Sequence, residues 1–209
     1  MRRLEHHLVV FARAPRLGTV KRRLARDIGA LGALRFHRET TASLLHRLDR
    51  DPRWTCWLAV TPDAWADRPG GLWPRSPNLL AQGGGDLGLR MGRVLVGLPP
   101  GPVVIVGSDI PDIQAHHVAT AFRALGDHDW VIGPAGDGGY WLIGARRRPH
   151  LRLPFAGVQW GGEQALQGTL AGLGAAKVKL LETLWDVDSV EDLRQRRQTP
   201  EVRKQILKA

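Results

Sequence analysis

The sequence predicts an α/β fold: a mostly parallel sheet of buried strands with helices on both faces. Three observations lead there. Apolar runs of four to six residues recur along the chain without alternating with polar residues, as strands covered on both faces require. Stretches of helical length and periodicity separate these runs. The loops that follow them collect Asp, Lys, Arg and Gly, the residue types that hold ligands at the carboxyl ends of parallel strands.

In chain order, HLVVFA at 7–12 reads as the first strand. Residues 19–28 and 33–48 read as helices, with Thr19 as the N-cap of the first and Leu34, Leu44, Leu45 and Leu48 on the apolar face of the second. Residues 54–60 read as a strand, and 61–77, with four Pro and two Gly, as a loop. NLLA at 78–81 is a short strand and 87–98 a helix. VVIVG at 103–107 is the clearest buried strand, β-branched, continuous and bounded by Pro102 and Gly107. A helix follows at 113–125 with Asp112 before it as a candidate N-cap, then strands at 130–133 and 140–144. A helix at 163–170, a strand at 178–181 and a terminal helix at 190–197 complete the pattern, the last preceded by a Ser189–Asp192 capping box.

A length of 209 residues fits a single domain over 1–209, large enough to bury about 70% of its extended surface. With 43% hydrophobic and 24% charged residues, the chain is expected to be folded rather than disordered. No apolar window is long enough to span a membrane, and Glu5, His6 and His7 interrupt the place where a signal peptide would build its apolar stretch. The single cysteine, Cys56, excludes an internal disulfide and a cysteine-based zinc site. It falls within a strand and is expected to be a buried, inert thiol. The expected compartment is the cytoplasm.

The formal charge of +10 raises nucleic-acid binding, but its distribution argues against a polynucleotide partner. Residues 1–50 carry +8 and 194–209 carry +5, whereas 51–193 carry −3. No aromatic residues interleave with the basic ones. A basic end serves a phosphorylated small molecule equally well, and 25 of the 30 cations are Arg, suited to bidentate phosphate contacts.

Four constellations carry chemistry. RAPRLGTVKRRL at 13–24 follows the first strand, and Lys21, Arg22 and Arg23 fall in the expected first turn of the helix. Cations there oppose the helix dipole unless an anion rests on the N-terminus, which suggests phosphate. Asp109 follows VVIVG at the end of a central strand, where a hard cation would meet phosphates. GPAGDGGY at 133–140 surrounds Asp137 with glycines, either as an ordinary hairpin or as a tight turn close to a ligand. Asp186 and Asp188 lie two residues apart on an extended segment, a second carboxylate source for the same cation. A fifth pattern, Gly83-x-Gly85-x-x-Gly88, matches a dinucleotide fingerprint, with Asp109 at a suitable distance. It begins after two strands of the same sheet and leaves the other loops unexplained, so it is expected to turn the chain beside a base or ribose instead.

At these residues the chain resembles the DUF2064 family of nucleotide-diphospho-sugar transferase-like proteins, often labelled glycosyltransferases. The resemblance rests on FARAPRLGTVKRRL, QGGGDLGLRM, VVIVGSDIPDI, DWVIGPAGDGGYWLIG and LWDVDSVEDL, in that order along nearly the whole chain. It implies a Rossmann-like mixed sheet of the GT-A type, kin to molybdopterin-cofactor nucleotidyltransferases and phospholactate guanylyltransferase. It also implies a nucleotide or nucleotide-sugar substrate and a Mg2+ or Mn2+ ion. The resemblance makes Asp109 and Asp188 the metal ligands and Lys21 a phosphate contact. Arg13, Gly18 and Arg23, with Gln82, Asp86 and Arg90, complete the nucleotide side. Gly138, Gly139, Tyr140 and Trp160 line the acceptor side, and Asp137 is the candidate base.

The chain departs from the family in having Lys21-Arg22-Arg23 for Lys-Thr-Arg and Trp160-Gly161-Gly162 for Trp-Ser-[ST]. It also lacks the L-A-G-G-x-[ST]-x-R-M-G signature of activated-sugar synthetases in the first strand. The expected activity is metal-dependent transfer from a nucleoside diphosphate sugar. The alternative is nucleotidyl transfer from a triphosphate with release of pyrophosphate, and a non-catalytic nucleic-acid binder is a remote third.

Overall fold

The computed structural model describes residues 4–67, 73, 78–147, 151–187, 189, 191 and 192. Seven strands among them form one sheet: β1 (His7–Arg13), β2 (Thr55–Thr61), β3 (Asn78–Ala81), β4 (Val103–Gly107), β5 (Trp130–Pro134), β6 (Tyr140–Ala145) and β7 (Val178–Leu180). Their order is β3-β2-β1-β4-β6-β5-β7. β6 runs antiparallel to β4 and β5, and every other pairing is parallel. The expected mostly parallel, doubly covered sheet is therefore what forms.

The helices are α1 (Leu24–Leu48), α2 (Leu87–Gly97), α3 (Ala115–Ala124) and α4 (Ala165–Leu173). Side chains alternate along β1, so Leu8, Val10 and Ala12 join Leu44, Leu45 and Leu48 of α1 and Val118 and Phe122 of α3 in one apolar cluster. Val9 faces the opposite cluster, with Met91, Val94 and Leu95 of α2 and Leu173 of α4. Helices thus cover both faces, which explains why the β1 and β4 runs are apolar throughout. Cys56 is buried, and burial pushes its thiol up to about 12, so it is an inert part of the first cluster. No helix among the described residues is long and apolar enough to cross a membrane.

Three helix starts differ from expectation. The first helix begins at Leu24, not Thr19, and is continuous with the second except at Gly29, whose φ of 75° and ψ of 160° break it. The Thr19 hydroxyl donates to the Arg16 carbonyl in a turn rather than capping. Lys21 and Arg22 therefore precede the helix and Arg23 is its N-cap residue, so none of the three lies in the first helical turn. The third helix is capped by Gln114 with His117 in a reciprocal box, so Asp112 does not cap it. The fourth begins at Ala165, two residues after the expected start. The Ser189–Asp192 capping box is present: the Ser189 N–H donates to Asp192 at 2.7 Å, and the Asp192 N–H donates to the Ser189 hydroxyl at 3.2 Å. The remainder of the expected terminal helix lies outside the described residues.

β5 and β6 form an antiparallel hairpin, so the glycine-rich segment is a hairpin turn. Register sets Val106 opposite Leu142, which brings the turn end of β6 level with the residues that follow β4. A parallel bridge between Ala135 and Leu184 carries the post-β7 segment alongside the same turn. Gly138 has a φ of +83°, and a Cβ on it would overlap the Glu163 backbone. Gly161 has a similar φ of +81° but open space around it. Gly161→Ala should therefore cost only the conformational strain, about 1 kcal/mol. Gly138→Ala should cost at least ~2 kcal/mol, a fall of roughly 4–8 °C in Tm, because backbone must also move. Equal melting temperatures for the two variants would contradict this packing of the turn.

His7 is fully buried at the start of β1, and its Nδ1 accepts from the Trp57 indole N–H at 3.3 Å. Burial, with a contribution from Arg147 and against Glu5, holds its pKa below the ordinary 6.5. The unfolded chain therefore takes up this proton first, and stability falls as pH drops below about 6.5. His7→Leu should flatten the decline in Tm between pH 7.5 and 5.5. A wild-type slope retained in that variant would show that His7 is not its source.

Candidate active site

The parallel strands end on one edge, and hydrogen bonds continue the ladder just beyond it. The Ser108 N–H donates to the Phe11 carbonyl, the Ala14 N–H to Thr61 and the Gln82 N–H to Val60. Above these strand ends lies a cleft of about 240 Å³. Its wall contains Arg13, Lys21, Gln82, Arg90 and Asp109, five of the residues expected to bind nucleotide or metal, drawn from four separate segments. Three cations face one carboxylate there.

Asp109 stands where β4 ends, with its side chain 53% exposed. Its Oδ1 lies 3.5 Å from Lys21 Nζ and 3.8 Å from His37 Nδ1. Desolvation opposes its ionisation, but the His37 ring and the Lys21 ammonium outweigh it and hold the carboxyl below its ordinary range. The Lys21 side chain is 4% exposed, and its backbone occupies the left-handed region at φ 45°, uncommon for any residue with a Cβ.

His37 was not among the expected site residues. Its Nε2 lies 2.9 Å from the Arg13 carbonyl. A carbonyl only accepts, so Nε2 carries a proton and Nδ1 is the atom turned to Asp109. The signal was in the sequence: Ala33, His37, Thr40, Thr41 and Leu44 follow helical spacing, and all are buried on one face of α1. Ser108, buried in the cleft wall, was also missed.

Two wall residues have structural partners of their own. The buried Gln82 amide donates to the Ala12 carbonyl at 3.2 Å and to Ala59 at 2.8 Å, tying β1 to β2. The Arg90 guanidinium donates to the Gly85 carbonyl at 2.9 Å. Gly18 supplies a positive φ of 74° to the loop before Lys21. Arg23 is exposed at the N-cap of α1, outside the cleft wall. Asp86 caps α2, accepting from the Leu89 N–H at 2.8 Å.

The expected acceptor-side residues are not in this cleft wall but lie at or near the hairpin turn. Asp137 accepts from the Gly139 N–H at 2.9 Å, closing the turn. The Tyr140 hydroxyl is directed at Thr169 and the Met91 sulfur, and burial pushes it well above the ordinary phenol range. Its ring meets Trp160 edge-on at 6.4 Å, and Trp160 packs against Phe155. These two aromatics join the core beneath the turn. Asp188 lies outside the described residues.

The donor chemistry suits a hard divalent cation. Magnesium binds through one or two carboxylates, with phosphate and water oxygens completing its shell, and Asp109 offers an accessible carboxylate in a wall that also holds three cations. A second cluster, His116, His117 and Glu182, has ligand atoms within 4.8 Å of one another. Its chemistry does not suit a metal. His117 Nδ1 accepts from the Gln114 N–H at 2.9 Å, so Nε2 carries the proton and points it at Glu182, 3.2 Å away. Both ring nitrogens are committed.

Comparisons with known proteins bear on the fold and the family. A 2-phospho-L-lactate guanylyltransferase from Methanopyrus kandleri is 31% identical over 134 residues, 64% of this chain. The match spans 63% of that relative's length. A crystal structure from Desulfovibrio desulfuricans G20, provisionally classed as a nucleotide-diphospho-sugar transferase, superposes with a TM-score of 0.85 at 32% identity. That superposition covers 95% of this chain and 90% of the other. The fold also extends to glucosyl-3-phosphoglycerate synthase from Mycobacterium tuberculosis, a structure containing Mn2+ and uridine diphosphate. There the TM-score is 0.53 at 12% identity, over 88% of this chain and 71% of the other. Residues 44–162 match a family described as an uncharacterized protein conserved in bacteria, DUF2064, and the chain belongs to that family.

Proposed function

We propose that the chain is a divalent-metal-dependent transferase acting on a nucleotide-activated substrate, with a nucleoside diphosphate sugar as donor. The observation that carries this reading is the cleft at the carboxyl ends of β1, β2 and β4, where Arg13, Lys21 and Arg90 surround the Asp109 carboxylate. Phosphate oxygens suit the three cations, and guanidinium groups bind them bidentately. Asp109, joined by Asp188, is proposed to hold Mg2+ or Mn2+. The ion, when bound, neutralises the diphosphate and makes it a better leaving group.

The residues of the chain supply position. Arg13 and Arg90 orient the diphosphate across the strand ends. His37 holds the Arg13 carbonyl and faces Asp109, fixing the spacing between β1 and β4. The acceptor enters over the hairpin turn at Gly138 and Gly139, where Asp137 is exposed and is the candidate to take the acceptor's proton. Gly161 and Gly162 leave that side without the hydroxyls usual in the family.

Nucleotidyl transfer is the second reading, favoured by the 31% identity to a guanylyltransferase. The two differ in the bond broken. Glycosyl transfer releases a nucleoside diphosphate from a sugar nucleotide, whereas nucleotidyl transfer releases pyrophosphate from a triphosphate. A panel of sugar nucleotides and triphosphates with Mg2+, analysed for both products, separates them. Binding of none of the panel would refute both readings. Asp109→Asn should lower turnover of whichever substrate is used by about a hundredfold or more, while Tm changes by only a few degrees. Turnover at the wild-type rate in that variant would remove Asp109 from the reaction.

A further inference from the structure

The ammonium of Lys21 and the carboxylate of Asp109 are 3.5 Å apart, and the lysine side chain is 4% exposed while the aspartate is 53% exposed. We propose that Lys21 is the resident counter-cation of Asp109, which excludes a lone divalent ion and admits it only together with a phosphorylated substrate that draws Lys21 away. The proposal rests on the reading of Asp109 as a metal-binding carboxylate.

The first argument is charge. The described cleft wall holds Arg13, Lys21 and Arg90 against Asp109, a formal surplus of positive charge before any ion arrives. A lone divalent cation at Asp109 would meet that surplus and the lysine already paired with the same oxygen. Like charges brought together on one carboxylate repel strongly where water is partly excluded. A diphosphate reverses the balance, because its oxygens neutralise the arginines and offer Lys21 a new partner.

The second argument is enclosure. An ammonium buried to this degree is costly unless it is paired. A phosphate that receives the Lys21 charge therefore favours its movement away from Asp109, which bulk solvent does not. The third argument is conformation. Lys21 has a φ of 45°, in the left-handed region, with Gly18 at a φ of 74° three residues before it. Surroundings that hold a residue with a Cβ there are characteristic of functional clamps. Here the backbone delivers Lys21 from the loop after β1 onto the end of β4, across the junction of the two strands.

Metal and phosphate would then be thermodynamically linked: each raises the affinity for the other by the same factor. Binding would be ordered in practice, with the anion opening the metal position.

Equilibrium dialysis of the full chain measures protein-bound Mn2+, with and without pyrophosphate, for wild type, Lys21→Met and Lys21→Gln. Wild type should bind Mn2+ alone weakly and gain about tenfold or more in affinity when pyrophosphate is present. Both variants should bind Mn2+ alone about tenfold more tightly than wild type and gain less from pyrophosphate. Adding Asp109→Asn to either variant should abolish that gain in Mn2+ affinity. Equal affinity of wild type and both variants for Mn2+ alone would overturn the proposal while leaving the metal reading of Asp109 intact. Absence of Mn2+ binding to all three proteins in both conditions would refute the metal reading and this proposal with it.

Discussion

Parallel pairing of β1 with β2 on one side and β4 on the other governs the cleft. Strands that run together end together, so the loops after all three meet on one edge of the sheet. The pairing continues past the strands through Ala14, Gln82 and Ser108, whose N–H groups donate to Thr61, Val60 and Phe11. Residues immediately beyond these bonds have little freedom to wander. Asp109 is one residue past Ser108, and Arg13 is one residue before Ala14. The charged groups of the cleft are thus set by ladder register, and a slip of one residue would turn Asp109 toward the opposite face.

The antiparallel strand β6 adds a second region to the same edge. Because β6 returns between β4 and β5, the turn that begins it must lie beside the end of β4. Space at this turn is short. A Cβ at Gly133 would meet the Trp141 indole, one at Gly136 the Trp185 ring and one at Gly138 the Glu163 backbone. The glycines that suggested a ligand approaching closely are needed in the first place because the protein itself approaches closely. Their consequence is a rigid turn with Asp137 presented at its exposed side.

The architecture was legible because the signal came from continuous apolar runs. VVIVG and NLLA form strands over the residues expected, and the other described strands deviate by a residue or so at an end. Helix starts were less legible because capping is local and has substitutes. Gln114 and His117 cap each other in place of Asp112, and the expected cap at Thr19 was displaced by a turn that carries Lys21. The cations before α1 suggest phosphate through their expected place in a helix's first turn, whereas the helix begins only after them, at Leu24. What brings Lys21 and Arg13 into the cleft is their place after β1. His37 went unnoticed since a single histidine on a helix face usually belongs to the core. Only the fold shows that its face of α1 meets the strand ends.

The glycine fingerprint at 83–88 illustrates how a motif can be consumed by local structure. Gly83 and Gly85 have φ values of 79° and 94°, so both provide turns that other residues avoid. Gly88 lies where a Cβ would meet Phe155 and Trp160, so it serves helix packing. Asp86 places a carboxylate on the N-terminus of α2, bonded to the Leu89 N–H, in the position an incoming pyrophosphate would need in a dinucleotide site. Arg90, one turn later, bonds to the Gly85 carbonyl and reaches the cleft wall. The helix end is therefore already neutralised by the chain's own anion. The proposed phosphate site therefore rests on Arg13 and on the loop that delivers Lys21, not on this helix end.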